Sequence, residues 1–321
     1  MDLHPYARLT PDLVLDAVAA AGLAPDGRLL TLNSYENRVY QVGLDDGPMV
    51  VAKFYRPGRW SDAQIDEEHA FAAELASHEV PVVAPRHALT FQDFRVAIYP
   101  RRGGRTPELG DPKTLEWIGR FIARIHAVGS TRPFQHRETL SQKSFGHEPR
   151  AWLLEHDFIP PDLLPAWKAV TEQALSSVEK AFDLASNYKK IRLHGDCHIG
   201  NVLWTPDGPH FVDLDDARMG PAIQDLWMLL SGDRGAMTRQ MLDVLAGYEQ
   251  FMAFDRKELF LLEALRTLRL IHYSAWIARR WDDPAFPAAF PWFNTQRYWQ
   301  DRILELREQI ALMEESPLVV D

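Results

Sequence analysis

The sequence predicts an α+β protein with two lobes, a small antiparallel sheet carrying one main helix and a larger, mostly helical lobe. Residues 29–100 contain short apolar, β-branched runs bounded by turn residues, which is the pattern of strands. After residue 104, apolar side chains recur mainly at helical spacing. A segment containing Pro and Gly at residues 100–104 separates the two patterns and is a candidate hinge. We therefore expect the lobes at residues 1–100 and 101–321.

The first lobe is predicted to open with a short helix, for which Thr10 and Pro11 provide the N-terminal residues and Gly22 the end. Three strands should follow, the last two joined by a hairpin-type turn at residues 45–48. Ser61 then begins the main helix, whose apolar residues recur on one stripe, and two further strands come after it. The predicted strands of this lobe span residues 28–32, 38–42, 49–55, 80–83 and 94–99.

The second lobe is predicted to be helical except for one island. Its clearest helix spans residues 111–129, because Asp111 can cap the first turn, Pro112 suits the first helical position and Gly129 ends the pattern. The other predicted helices span residues 161–186, 221–230, 238–251, 257–281 and 294–315. Residues 191–218 form the non-helical island. Its predicted short strands span residues 191–193, 201–204 and 210–214.

The composition is that of an ordinary soluble globular protein, with 46% hydrophobic and 25% charged residues. Thirty-five basic against 45 acidic side chains give a formal net charge of −10, so no overall positive field exists to attract nucleic acid or an anionic membrane. The single cysteine, Cys197, excludes an internal disulfide and favours a reducing compartment. The sequence also lacks a membrane-length apolar stretch and a secretory signal. We therefore expect a cytoplasmic monomer without nucleic-acid or membrane partners.

The chemistry-bearing residues of the island follow the pattern H-x-D-x-x-x-x-N, formed by His194, Asp196 and Asn201, with Asp213 twelve residues later. Phosphoryl transfer from a nucleotide needs an Asp that accepts the proton of the acceptor hydroxyl. It also needs an Asn and a second Asp that hold Mg²⁺. The spacing supplies all three. It predicts Asp196 as the proton acceptor, Asn201 and Asp213 as magnesium ligands, and Asp213 as a catalytic residue as well.

The first lobe offers a matching cation. Residues 50–53, VVAK, resemble the V-A-x-K strand motif, in which the Lys reaches the α- and β-phosphates of ATP. Lys53 would be that group. Such a Lys needs a carboxylate from the following helix to hold it, and both Glu67 and Glu68 lie at a suitable place. We choose Glu68, with Glu67 as the alternative.

Six segments resemble the aminoglycoside-phosphotransferase and choline-kinase-like branch of the protein-kinase fold, and within it the bacterial kinases of stress response. They are residues 32–41 (LNSYENRVYQ), 53–57 (KFYRP), 193–201 (LHGDCHIGN), 211–218 (FVDLDDAR), 224–230 (QDLWMLL) and 283–287 (DPAFP). The resemblance implies a bilobal protein kinase-like fold, ATP and Mg²⁺, and transfer to Ser or Thr hydroxyls of a protein substrate. It also implies that Ser34 lies in the loop over the ATP phosphates and that Asp225 anchors the catalytic loop. Residues 33–37 stand where ordinary protein kinases have G-x-G-x-x-G, so phosphate contacts must come from Asn, Ser and main-chain donors.

Three other functions are open at this point. The nearest keeps the fold and changes the acceptor to a small alcohol such as an aminoglycoside, homoserine or choline. A metal-dependent hydrolase would use His194, Asp196 and His198 as ligands, but it leaves the motif at residues 50–53 unexplained. The last alternative is a nucleotide-binding module without catalysis.

Overall fold

The computed structural model describes residues 4–320, and these residues form two compact units. The first unit comprises the described residues up to Pro107 together with Gln135–Arg137 and Gly200–Asp216, and all other described residues belong to the second. The boundary near residue 100 stays a prediction about the lobes. In the structure the first unit also includes two later segments, and one of them is a large part of the predicted island.

Both helices and strands are abundant in the described residues. The helices are α1 (Pro11–Ala20), α2 (Asp62–Ser77), α3 (Pro112–Gly129), α4 (Glu148–Glu155), α5 (Leu164–Leu184), α6 (Arg234–Tyr248), α7 (Leu262–Ala278), α8 (Ala285–Ala289) and α9 (Gln296–Glu314). The strands are β1 (Pro25–Leu32), β2 (Arg38–Leu44), β3 (Val50–Phe54), β4 (His87–Phe91), β5 (Phe94–Pro100), β6 (Ile191–Leu193), β7 (Val202–Thr205), β8 (Gly208–Phe211) and β9 (Arg218–Gly220). The predicted α+β class is confirmed. Across residues 4–320, no helix combines the length and the hydropathy that a membrane crossing requires.

The main sheet of the first unit has the strand order β1-β2-β3-β5-β4, and each neighbouring pair is antiparallel. The central strand β3 places Lys53 opposite Val39 of β2 and Ala97 of β5. Successive side chains of a strand point to opposite faces. Ala52 and Phe54 belong to the core cluster that includes apolar residues of α1, so Lys53 lies on the other face of the sheet.

Helix α2 is fixed at its start and along one side. Ser61 and Gln64 form a capping box, in which each side chain bonds the backbone of the other residue. Ile65 and Leu75 are buried on the stripe that the sequence predicts, and Glu68 shares that stripe because it lies three residues after Ile65. Hydrophobic burial of this stripe therefore also buries a carboxylate.

The prediction of a strand at residues 80–83 is wrong. Val82 makes a single bridge to Phe211, and no ladder forms around it. Pro81 and Pro85 flank the bridge, and because proline has no N–H group the segment lacks donors that a strand needs. The strand at this place in the chain is β4, whose side chains alternate between half-buried and exposed positions at the edge of the sheet.

Within the second unit, α3 and α6 approach each other closely through two glycines. A side-chain methyl at Gly119 would collide with the carbonyl oxygen of Val244, and one at Gly247 would collide with the carbonyl oxygen of Glu116. The two contacts are reciprocal, since each helix offers a glycine to the backbone of the other. Helix α3 itself begins where the sequence predicts, with Asp111 accepting hydrogen bonds from the first-turn amides.

The prediction of one helix at residues 221–230 is also wrong. The segment forms two separate 3₁₀ turns, Ala222–Asp225 and Trp227–Leu229. The physical reason lies in tertiary hydrogen bonds: the carboxylate of Asp225 accepts two bonds from backbone N–H groups directly after β6, and Ile223 donates its N–H to Glu258. These contacts hold the chain in short turns, and local helix propensity is overridden.

Candidate active site

Lys53 lies among three carboxylates of the first unit. Its ammonium nitrogen Nζ is 2.8 Å from Oδ1 of Asp213, 3.3 Å from Oδ1 of Asp215 and 3.8 Å from Oε1 of Glu68. The Lys53 side chain is only 6% exposed. Burial by itself would lower the pKa of Lys53, but the three carboxylates outweigh it and raise that pKa well above its usual value. Lys53 is therefore a fixed positive charge at any physiological pH.

The two glutamates of α2 have different partners. Glu68 accepts hydrogen bonds from the Tyr55 hydroxyl and from Arg137, both at 3.0 Å, in addition to its contact with Lys53. Glu67 instead accepts hydrogen bonds from the backbone amides of residues 135–137. The structure thus places Glu68, and not Glu67, beside Lys53. Burial raises the pKa of Glu68 to about 7, although the charge of Lys53 acts in the opposite direction.

Asn201 and Asp213 flank the open end of the β7–β8 hairpin. Val202 pairs with Phe211, and one step further the N–H of Val212 donates to the carbonyl oxygen of Asn201 at 3.0 Å. Asp213 follows directly, with φ of 61°, in the left-handed region that few non-glycine residues adopt. Its side chain is 52% exposed while one oxygen contacts Lys53. The hairpin therefore brings both predicted metal ligands to one end, as the spacing predicts.

The donor set at this end suits Mg²⁺. Magnesium prefers oxygen ligands and is usually held by one or two carboxylates together with phosphate oxygens and water. Asp213 supplies a half-exposed carboxylate, and Asn201 carries an amide oxygen on the same hairpin end. The residues present thus fit a magnesium ion bound to a nucleotide.

A second layer of charged residues, which the sequence motifs did not predict, surrounds Asp215. This carboxylate is buried and ion-pairs with Arg59, and it also accepts a hydrogen bond from Nδ2 of Asn37 at 3.1 Å. Arg59 reaches Asp216 as well, at 2.8 Å. The charges of Lys53 and Arg59 hold the pKa of Asp215 below its usual value against the effect of burial. The available signal was the D-x-D spacing, which puts Asp213 and Asp215 within reach of one cation.

The loop at residues 33–37 is held by its own polar groups. The Ser34 hydroxyl donates to the carbonyl oxygen of Asn37 at 3.1 Å, so this predicted ATP contact makes a local hydrogen bond in the structure. Oδ1 of Asn37 accepts the N–H of Arg56 at 3.1 Å. Glu36 and Asn37 are buried. Side-chain anchoring thus replaces the flexibility that glycines would give the loop.

In the second unit, Asp225 organises the backbone around the predicted base. Its two carboxylate oxygens accept the N–H groups of His194 and Gly195, each at 2.8 Å, and Nε2 of His126 lies 3.0 Å from one of them. Asp225, His126 and His194 are fully buried. The burial of His194 fits a structural role, and Asp225 anchors the backbone at the start of the loop that carries Asp196.

Asp196 itself contacts two basic side chains of the second unit. Nη1 of Arg269 in α7 is 2.7 Å from its Oδ1, and Nε2 of His198 is 3.4 Å from its Oδ2. Burial would raise the pKa of Asp196, but its interactions with His198 and Arg269 outweigh burial and hold that pKa well below its usual value. The contact with Arg269 was not predicted, because nothing in a lone Arg of a long helix signals a partner 73 residues earlier in the chain.

The alternative of a metal-dependent hydrolase gains no support from this geometry. No group of three or more His, Cys, Asp or Glu side chains within residues 4–320 has a metal-binding arrangement. His194 is fully buried, and its Nδ1 lies 3.4 Å from the backbone nitrogen of Asp196.

Cys197, the single cysteine, is also buried, and burial raises the pKa of its thiol well above the usual value. The thiol therefore lacks the thiolate character of a reactive cysteine.

Comparison with known proteins identifies the family. The family model of the phosphotransferase enzyme family, APH, matches residues 29–262. Stress response kinase A of Salmonella choleraesuis (strain SC-B67) is 44% identical over 318 residues, which cover 98% of this chain and 96% of that protein. Serine/threonine protein kinase RdoA of Salmonella typhimurium (strain LT2) is also 44% identical, and Stress response kinase A of Escherichia coli (strain K12) is 43% identical, both with the same coverage.

Solved structures agree at the level of the fold. Amicoumacin kinase hAmiN in complex with AMP-PNP, Ca²⁺ and Ami has a TM-score of 0.71 at 18% identity, with 95% of each chain covered. The microcompartment-associated aminopropanol kinase has a TM-score of 0.69 at 20% identity, with 93% of this chain and 95% of that chain covered. The resemblance predicted from the motifs is confirmed. The chain therefore belongs to the phosphotransferase enzyme family, and within it is similar over nearly its whole length to the stress response kinase A proteins.

Proposed function

We propose that this chain is an ATP- and Mg²⁺-dependent serine/threonine protein kinase that acts in a bacterial stress response. The observation that carries the proposal is the position of Lys53, whose Nζ lies 2.8 Å from Asp213 and 3.8 Å from Glu68. A Lys held between a helix glutamate and a metal-binding aspartate is the arrangement that protein kinases need for phosphoryl transfer. The names of its full-length relatives support protein hydroxyls as acceptors and the link to stress.

Each predicted residue has one role in this proposal. Lys53 binds the α- and β-phosphates, and Glu68 keeps it in place. Asn201 and Asp213 hold Mg²⁺, which neutralises charge on the phosphate oxygens when bound. The loop containing Ser34 covers the phosphates, with main-chain N–H groups as further donors.

The reaction is a transfer of the γ-phosphoryl group to an alcohol. A bond forms between the acceptor oxygen and the γ-phosphorus while the bond from that phosphorus to the β-phosphate oxygen breaks, which releases ADP. The proton of the acceptor hydroxyl passes to the carboxylate of Asp196. Because Asp196 is ionised at neutral pH, it is ready to accept this proton before the acceptor binds.

A small alcohol as acceptor is the second candidate. It is favoured by the solved structures of similar fold, whose names describe kinases of amicoumacin, aminopropanol and choline. Those proteins share at most 20% identity with this chain, so they support the fold more strongly than the acceptor.

We place the enzyme in the cytoplasm, where ATP is available and where a lone thiol such as Cys197 stays reduced.

The experiment compares labelling of protein and of small alcohols by γ-labelled ATP and Mg²⁺. We expect the purified chain to label itself or added protein acceptors on Ser or Thr, shown by phosphoamino-acid analysis. Choline, homoserine and aminoglycosides should stay unlabelled. Labelling of a small alcohol alone would refute the protein-kinase assignment in favour of the second candidate.

Two variants test the residue roles. Asp196→Asn and Lys53→Met should each reduce the rate of phosphoryl transfer at least ~100-fold. Loss of a general base or of one group that stabilises charge in the transition state typically lowers enzyme rates on this scale. Lys143→Met is the matched control, because that Lys side chain is 80% exposed. Unchanged transfer by Asp196→Asn would exclude Asp196 as the proton acceptor.

A further inference from the structure

We propose that Arg269 is a positioning residue for phosphoryl transfer: its guanidinium fixes the carboxylate of Asp196 in the orientation that receives the acceptor proton. The inference rests on the proposed function, since it requires Asp196 to be the proton acceptor. It concerns only side chains of the second unit.

The contact distinguishes the two oxygens of Asp196. Oδ1 accepts a short, charge-assisted hydrogen bond from Nη1 of Arg269, at 2.7 Å. Oδ2 lies farther from its neighbour, 3.4 Å from Nε2 of His198. The Asp196 side chain is 22% exposed, so solvent or an acceptor has access to the carboxylate. With Oδ1 held by Arg269, rotation of the carboxylate about its Cβ–Cγ bond is restricted.

Helix α7 holds the backbone of Arg269 in place. Leu268 and Ile271 on either side are 1% exposed and belong to the buried face of the helix. Arg269 is not among the buried residues of this helix, and its side chain is 40% exposed. A packed helix therefore delivers the guanidinium to Asp196, and a rigid element positions a functional group more accurately than a loop does.

Electrostatics alone does not explain the contact. Arg269 helps to lower the pKa of Asp196, yet an ordinary Asp with a pKa of about 3.9 is already ionised at neutral pH. A further decrease adds almost nothing to the ionised fraction and makes the carboxylate a weaker base. The useful consequence of the contact is therefore geometric: it orients the proton acceptor.

The contact also joins Asp196 to a cavity. Arg269 lines a cavity of about 540 Å³ in the second unit, together with Trp227, Leu270 and Tyr273. Among the residues that the structure describes, Asp196 is the one hydrogen-bond partner of its guanidinium. The other N–H groups of Arg269 are therefore available to donate to an acceptor molecule in this cavity. Arg269 would then contact both the proton acceptor Asp196 and the acceptor molecule.

The test compares Arg269→Gln and Arg269→Lys with the wild-type chain, using the best-labelled acceptor. Arg269→Gln should lower kcat by about 10- to 100-fold, because small misplacements of reacting groups cost rates on this scale. KM for ATP should stay unchanged. Arg269→Lys keeps the charge and should recover part of kcat.

A pH profile separates positioning of Asp196 from a structural effect. In Arg269→Gln the pKa of Asp196 rises, so the acidic limb of kcat/KM against pH should move to higher pH. Arg307→Gln is the matched control, since Arg307 is an exposed Arg of α9. Its kcat and acidic limb should match those of the wild type.

Two outcomes would overturn the inference, and they are distinguishable. If the wild type transfers phosphate and Arg269→Gln keeps both its kcat and its acidic limb, Arg269 does not position Asp196. If the wild type labels no acceptor at all, the proposed function fails and this inference fails with it.

Discussion

Replacing Lys53 by Met tests the charge cluster through the stability of the protein. Removal of one partner from a buried ion pair typically costs about 3–5 kcal/mol, because the other charge is left uncompensated. Here the remaining carboxylates keep other partners: Arg59 contacts Asp215, and Arg137 contacts Glu68. We therefore expect a decrease in the free energy of unfolding of about 2–3 kcal/mol near pH 8.

The loss should depend on pH with a definite sign. Burial raises the pKa of Glu68 to about 7 in the folded state, above that of the unfolded chain. A carboxyl of this kind contributes stability below its unfolded pKa, and this contribution is lost as pH rises through the folded pKa. Without Lys53 the pKa of Glu68 rises further, and each unit adds about 1.4 kcal/mol to the cost of ionising Glu68. The variant should thus lose less stability near pH 5.5 than near pH 8.

Urea unfolding at the two pH values measures the effect. Lys143→Met, which removes an exposed Lys, should change stability by at most about 0.5 kcal/mol at either pH. In the Glu68→Gln background the carboxylate that gives the pH dependence is absent, so the loss caused there by Lys53→Met should be nearly the same at both pH values. An equal loss for Lys53→Met at both pH values would refute the argument, as would no loss at all.

Four further substitutions test other parts of the fold. Asp225→Asn leaves one amide oxygen where two carboxylate oxygens accept backbone N–H groups. It should lower the free energy of unfolding, measured in urea, by about 2–4 kcal/mol and should abolish activity. Gly247→Ala forces a methyl group against the carbonyl of Glu116 and should lower the free energy of unfolding by about 1–3 kcal/mol. In the same helix, the methyl group of Gly235→Ala meets no atom closer than 3.5 Å, so this variant should be slightly more stable than the wild type. Glu258→Gln removes a carboxyl whose pKa burial raises to about 7, so the difference in unfolding free energy between variant and wild type should shift in favour of the variant as pH rises through 7. Equal melting temperatures for the two alanine variants, or a difference for Glu258→Gln that does not change with pH, would contradict these expectations.

Motifs make candidate site residues recognisable in the sequence, because phosphoryl transfer limits both residue type and spacing. Lys53, Asp196, Asn201 and Asp213 belong to patterns in which each type has one chemical task. The sequence analysis left Glu67 as an alternative to Glu68, and the structure explains the difference between them: Glu68 continues the buried apolar stripe of α2. Local chemistry and helical period are therefore the signals by which such positions can be proposed from one sequence.

Residues that act through distant partners were not predictable in this way. Arg59 contacts Asp215 across 156 positions of sequence, and Arg269 contacts Asp196 across 73. A charged side chain in an ordinary helix or loop has many possible partners, and a single sequence does not say which one tertiary structure selects. The same reason explains residues 221–230, where hydrogen bonds from outside the segment replaced a predicted helix by two turns.

The burial of charge around Lys53 is itself an argument for function. Moving ions out of water costs several kcal/mol each, and apolar residues of similar volume are often as stabilising as a buried ion pair. Yet Lys53, Glu68 and Asp215 are each at most 5% exposed, beside an apolar cluster that includes Tyr55 and Ile65. Stability alone gives no reason to place three ions here. A nucleotide does, because its phosphates and their metal need a fixed cation and fixed oxygens, and these must be oriented before the substrate arrives.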